Sequence, residues 1–171
     1  MLANCTASGG CATSFPANVG FAATFDRELM QQMAIVIGEE TRAGYNLKFL
    51  DNSINGLGLT CWGPVLNMNR DPRWGRNAEA GSECPFLTAA VGTAWTRGLQ
   101  EGRGEETRFT QIAVTLKHFD ANSLEGQSAG DAGLTRHTVD VNVSKYLLRD
   151  YYWPAFRAAI KDAGAKGVMC S

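Results

Sequence analysis

The chain has 171 residues, of which 44% are apolar and 19% charged, and its formal net charge is −1. That length fits one domain with a sizeable core, and that balance is of a globular protein rather than a disordered or fibrous one. A near-neutral surface gives no electrostatic reason to expect nucleic acid or an anionic membrane as partner. No apolar run approaches the roughly 20 residues needed to span a bilayer.

Met1-Leu2-Ala3-Asn4 lacks the basic start and apolar stretch of a signal peptide. Cys5 and Cys11 flank a Gly-Gly turn, and either a small disulfide loop or two free thiols suits that spacing. Cys61, Cys84 and Cys170 make the count odd, and the absence of a Cys-x-x-Cys pair argues against a zinc site. Asn4-Cys5-Thr6 and Asn142-Val143-Ser144 both fit the acceptor pattern for N-glycosylation.

Ala12 to Pro16 reads as a short buried strand ended by proline. A helix capped by Asp26 follows, with Leu29, Met30, Met33 and Ile37 on one apolar stripe to about Ala43, and Gly44 ends it. Asp51 to Gly56 is a plain turn, since a calcium loop would need a downstream glutamate that is missing. Leu57 to Met68 is the next strand. It runs into Asn67-Met68-Asn69-Arg70-Asp71-Pro72-Arg73-Trp74-Gly75-Arg76, where Pro72 removes a backbone donor and stops it.

Three guanidiniums in seven residues cannot all be buried without acceptors. One reading is an ion-paired loop neutralised by Asp71. The other is a rim of fixed donors at a strand end, suited to an oxygen-rich ligand.

Pro85 to Leu99 predicts a second helix, apolar through Phe86, Leu87, Ala90, Val91 and Trp95. Ile112 to Leu116 is a continuous apolar strand of the kind buried on both faces of a parallel sheet, and Lys117 and His118 follow it. Asp120 to Thr135 reads as a long loop. Ser144 caps a third helix that runs to about Ala163, kinked or split by Pro154, with Tyr146, Leu147, Tyr151, Phe156 and Ile160 inward. Gly164 ends it, and Gly167 to Cys170 begins another strand.

The pattern is β-α-β-α-β-α-β, which predicts an α/β fold with a parallel sheet. A complete eight-stranded barrel takes roughly 250 residues, so four strands make about half of one.

The arginine motif, followed by Glu79 and Glu83, resembles the signature of glycoside hydrolase family 3, the retaining β-glucosidases and β-xylosidases. Ala12 to Pro16, Lys117-His118-Phe119 and Gly167 to Ser171 resemble further family segments in the family's order. The resemblance implies a partial (β/α)8 TIM barrel of about four consecutive β/α units, with residues 1–171 forming part of the family's N-terminal barrel domain.

By the same resemblance Arg76, Lys117 and His118 hold the hydroxyls of a β-linked oligosaccharide or glycoside, without metal or cofactor. Asp71 holds the arginines, Glu79 and Glu83 pair with them, and Arg73 is structural. Cys84 stands where the family commonly has aspartate, which weakens the cap of the second helix. The family's nucleophile lies on a strand beyond this chain and its usual acid/base in a later domain. The resemblance therefore implies a fragment, inactive alone, of a secreted or lumenal parent that supplies the rest of the barrel and a C-terminal domain.

Three other readings stay open at this level. One is a non-catalytic carbohydrate-binding or structural piece of a larger assembly. A second makes Lys117 a Schiff-base lysine, and a third pairs His137 with Asp131 or Asp140 as a catalytic dyad. For Lys117 alone, an ion pair with Glu125 or Asp131 is the simpler role.

Overall fold

The computed structural model describes residues 12–51, 58–104, 109–126 and 135–170. The Cys5–Cys11 loop, the acceptor site at Asn4, the turn over 52–56, Asp131 and Ser171 lie outside the described residues.

In chain order come α1 Asn18–Ala22, α2 Arg27–Asp51, β1 Thr60–Val65, α3 Pro85–Glu101, β2 Ala113–Phe119, α4 Lys145–Leu147, α5 Pro154–Lys161 and β3 Gly167–Cys170. A 3-10 turn, Asn77–Glu79, follows β1, and a π-helical stretch, Leu148–Tyr152, continues α4. The strands form one parallel sheet in the order β1-β2-β3. Thr60 lies beside Ala113 and Val65 beside Lys117, while Leu116 lies beside Val168. Consecutive parallel strands joined through helices are the winding of a (β/α) barrel, and the fold is part of one.

β2 is the central strand, and Val114 and Leu116 on it are wholly buried. They pack with Leu66, Met68, Met30, Leu99 and Phe156 into one core between the sheet and its helices. Asp26 caps α2 as its side chain suggests, its Oδ1 accepting from Leu29 N at 3.0 Å. Gly164, at φ +63°, lies just past the end of α5, its N–H reaching Ile160 O at 3.1 Å. Cys84 supplies no side-chain cap to α3, which starts instead on Pro85 at its first position.

Four expectations need correction. Ala12 to Pro16 is not a strand: the Thr13 N–H and hydroxyl bond the Glu40 carboxylate on α2, at 2.8 and 2.6 Å. Those donors are satisfied by a side chain, so the sheet of described residues has three strands rather than four. α2 does not stop at Gly44 but runs on to Asp51, since a helical glycine costs only about 1 kcal/mol when nothing else breaks the helix.

Tyr146, Leu147 and Ile160 are exposed instead of inward, although Phe156 is buried. The π stretch bonds Trp153 N to Leu148 O, five residues back. Its wider turn rotates α4 against α5, so no single stripe of 3.6-residue period runs through both. Phe86, in the first turn of α3, is exposed as well.

α2 and α3 come close together at Gly98. A Cβ at Gly98 would meet Gln31 O at 2.5 Å and the Ala34 Cβ at 2.6 Å. Gly98→Ala is therefore expected to lower stability by roughly 2–3 kcal/mol despite its gain in helix propensity, which for this size is a melting temperature about 5–10 °C lower. Gly20→Ala, whose Cβ would meet only the Pro16 Cβ at 3.5 Å, is the control and should melt as wild type does.

Candidate functional site

The backbone ladder between β1 and β2 ends with Leu66 N bonding Lys117 O at 2.8 Å. Past that point the side chain of Asn67 takes over. Its Oδ1 accepts from His118 N and its Nδ2 donates to His118 O, both at 2.9 Å. The chain then leaves the sheet as a loop, with Pro72 unable to pair and Asp71 Oδ1 accepting from Arg73 N at 2.9 Å in a tight turn.

Trp74 turns the loop back. It is buried against Val65 and Ala80, and its Nε1 donates to Glu125 Oε1 at 3.1 Å. Arg76 then lies over the end of β2. Its Nε and Nη2 each donate to Glu79 at 2.7 Å, a bidentate fork, and its Nη1 lies 3.0 Å from His118 Nε2.

Arg76, Lys117 and His118, the three residues singled out in the sequence, therefore meet in one place. They line an open cleft of about 750 Å³ together with Asp120, Asn122, Ser123, Arg136 and His137. Its far side is apolar, from Trp62, Val141, Val143, Leu148 and Met169.

The charges of this rim are mostly matched. Lys117 Nζ lies 3.8 Å from Glu79 Oε2, too far for a hydrogen bond, and no other described residue accepts from it. Glu125 faces three partners: Trp74, Arg136 Nη1 at 3.2 Å and Arg76 Nε at 3.9 Å. The simple ion-pair role for Lys117 thus has Glu79, not Glu125, as its described partner.

Other arginines of the motif behave differently. Arg73 bonds the Asp71 carboxylate and is 89% exposed, so it adds little to stability, contrary to a structural role. Arg70 lies against Tyr152, its Cζ 5.3 Å from the ring centroid, and bonds the Ser123 hydroxyl. The Glu83 side chain pairs with none of the three, and its backbone carbonyl accepts from Tyr151.

Asp131, one partner considered for a His137 dyad, lies outside the described residues, and Asp140, the other, makes no described bond to it. His137 is exposed, and its Nε2 faces Arg136 Nε at 3.2 Å rather than a carboxylate.

Protonation states follow from these neighbours. Burial, then the nearby Arg76 and Lys117 charges, push the His118 imidazole down to about 4, against the opposing pull of Glu79 and Glu125. Arg76 hydrogen bonds hold the Glu79 carboxyl below its usual range, and Arg73 does the same to Asp71. Burial pushes the Cys61 thiol up, so it stays protonated and inert. No group of three metal-ligating side chains occurs among the described residues. No helix among them is long and apolar enough to cross a membrane.

Residues 5–171 match the family model for the glycosyl hydrolase family 3 N terminal domain. The chain belongs to glycoside hydrolase family 3. Among family 3 relatives, it is 37% identical over 164 residues to a probable β-D-xylosidase of Arabidopsis thaliana, covering 94% of this chain and 20% of that protein. It is 39% identical over 160 residues to a probable exo-1,4-β-xylosidase of Aspergillus clavatus, covering 94% of this chain and 19% of the relative.

A family 3 exo-β-xylosidase solved with a xylobiose aziridine probe superposes with a TM-score of 0.83 at 32% identity, over 99% of this chain and 20% of its own. A mutant β-glucosidase of Listeria innocua solved with laminaribiose gives 0.68 at 34% identity, over 93% of this chain and 19% of its own. The chain thus spans about a fifth of the length of the curated relatives it matches.

Asn67 had no assigned place in the sequence reading of this rim, and Glu125 stood there only as a possible ion-pair partner of Lys117. Asn67 was visible there as part of the motif, but its bond to His118 crosses 51 residues of chain.

A pH dependence follows. His118 binds its proton less readily folded, near 4, than unfolded, near 6.5. The unfolded state therefore holds more protons between those values, so stability is full above pH 6.5 and falls as pH drops towards 4. Glu79 and Asp71, with lowered folded values, withdraw their stabilisation only below about 4.5 and 3.8, the ordinary values of their carboxyls. Urea unfolding of wild type should show a stability loss between pH 6.5 and 4.5 that His118→Gln does not share.

Proposed function

We propose that this chain is the substrate-holding part of a retaining, exo-acting β-xylosidase or β-glucosidase, with residues 1–171 forming part of its N-terminal barrel domain. Arg76 and Lys117 donate to hydroxyls of the terminal sugar at the non-reducing end of a β-linked saccharide, and His118 walls the cleft between them. The parent acts outside the cell or in a lumen, and needs neither metal nor cofactor.

The observation that carries this reading is the convergence of Arg76 and Lys117 on one cleft, Lys117 from β2 and Arg76 from the loop that follows β1. Sugar hydroxyls accept well from charged donors held on rigid elements. Lys117 Nζ has no hydrogen-bond partner among the described residues, and three of the five Arg76 N–H bonds are engaged, which leaves two. The named ligands of the structural relatives, a xylobiose probe and laminaribiose, are β-linked saccharides of the kind proposed here.

Hydrolysis with retention needs a carboxylate nucleophile and a carboxylic acid about 5–5.5 Å apart. The described carboxylates at this cleft are committed elsewhere. Asp120 accepts from Trp153 Nε1, Glu79 from Arg76, and Glu125 from Trp74 and Arg136. The chain by itself binds sugar and does not cleave it.

Two measurements on the purified chain test this. Methyl β-D-xylopyranoside and methyl β-D-glucopyranoside, titrated in turn and followed by NMR, should give saturable shifts at Arg76, Lys117 and His118. Arg76→Ala or Lys117→Ala should weaken binding at least tenfold in a chain that still folds, while Arg73→Ala alters neither binding nor folding. Nitrophenyl β-xyloside and β-glucoside should release nitrophenol no faster than buffer. Turnover within a hundredfold of an ordinary enzyme's roughly 10 s⁻¹ would contradict the non-catalytic role, and equal binding by all three variants would contradict the pocket.

A further inference from the structure

We propose that Asn67 is the positioning residue of this site. Its carboxamide fixes both the backbone and the ring of His118, so that His118 Nε2 stands as an acceptor for Arg76 and aligns that guanidinium in the cleft. The ligand-binding consequence rests on the sugar-holding reading above, whereas the Asn67–His118–Arg76 chain stands on geometry alone.

Asn67 is 2% exposed, and its carboxamide makes three contacts to a single residue. Two complete the β1–β2 ladder through the His118 N–H and carbonyl, each at 2.9 Å. The third brings Oδ1 to 3.3 Å from His118 Nδ1.

The tautomer then follows from donor and acceptor roles. A guanidinium only donates, so His118 Nε2, 3.0 Å from Arg76 Nη1, must accept. A neutral imidazole accepting at Nε2 carries its proton at Nδ1, and that proton points at the Asn67 Oδ1. Oδ1 serves as acceptor on both sides, while Nδ2 is occupied by the His118 carbonyl, which prevents the amide from flipping. One buried side chain thereby sets the position, orientation and tautomer of the next.

The groups facing His118 from the surrounding elements agree with a neutral ring. Arg76 and Lys117 disfavour an imidazolium, Glu79 and Glu125 favour one, and burial with the two cations prevails. With the ring neutral, Arg76 is held on two sides, by the Glu79 fork and by His118. That restraint reduces the ordering needed when a sugar arrives.

The test uses the full chain labelled with 15N-histidine. Its two histidines are one buried and one exposed, which tells their signals apart. A long-range 1H–15N spectrum at pH 6 should show His118 as the neutral Nδ1–H tautomer, with a titration midpoint well below the ordinary value of 6.5. Asn67→Asp keeps an acceptor at Nδ1 and adds a charge, so the His118 midpoint should rise by at least one pH unit. Asn67→Ala should erase the tautomer preference.

An Nε2–H tautomer in wild type overturns the proposal. So does a folded Asn67 variant in which the His118 tautomer and midpoint are unchanged, the behaviour of a merely structural asparagine. Should Asn67→Ala not fold, wild type and Asn67→Asp still decide. A parallel titration with methyl β-D-xylopyranoside should bind about tenfold more weakly to either folded variant, and affinity equal to wild type would overturn the positioning role. If wild type itself binds no sugar, the sugar-holding reading fails while the tautomer result stands.

Discussion

The site depends on how one guanidinium is held at the end of a sheet. Arg76 is only 20% exposed, and a cation so placed is tolerable only with its neighbours arranged around it. Glu79 supplies the bidentate fork, His118 takes a third N–H, and Glu125 adds charge from 3.9 Å. These partners come from a short turn after β1, from the end of β2, and from the loop beyond it. Satisfying Arg76 therefore draws three separate segments together, and the cleft is the space they enclose.

That arrangement requires the sheet to stop in the right place. Backbone pairing between β1 and β2 ends at Leu66, and Asn67 continues it with a side chain. The main chain is thereby free to turn away without leaving the His118 peptide groups unpaired, which would be costly in a buried position. Trp74, packed against Val65 and Ala80, then anchors the loop so that Arg76 returns over β2. Below this level the sheet is apolar and fixed by Val114, Leu116 and Leu66; above it the residues are polar. Fold and binding chemistry are thus separated along the length of the same strands, as in barrels generally.

Much of this was visible in the sequence where a local rule decides the outcome. The run Ile112 to Leu116 marked a strand covered on both faces because its apolar residues run on without alternation. Asp26 and Gly164 marked helix ends through capping chemistry that needs no tertiary context. Ala12 to Pro16 misled because its donors are met by Glu40, 27 residues away. Tyr146 and Ile160 misled because a π turn shifts the helical phase, and periodicity alone does not reveal such a turn. Arg76, Lys117 and His118 stood out by residue type at strand ends. Asn67 did not, since its role exists only through His118, 51 positions distant, and the bond from Trp74 to Glu125 likewise crosses 51 positions.

Arg73 and Arg76 make the same point within one motif. They are chemically identical and three residues apart, yet Arg73 extends into solvent with Asp71 while Arg76 reaches back over β2. Trp74, packed against Val65 and Ala80, stands between them. The direct measurement of the central idea is a crystal structure of the chain with β-1,4-xylobiose. Terminal-sugar hydroxyl oxygens should lie about 2.7–3.2 Å from an Arg76 Nη and from Lys117 Nζ, with the Glu79 fork intact. A sugar seated on the Trp62 and Val141 wall with neither cation in reach would contradict it.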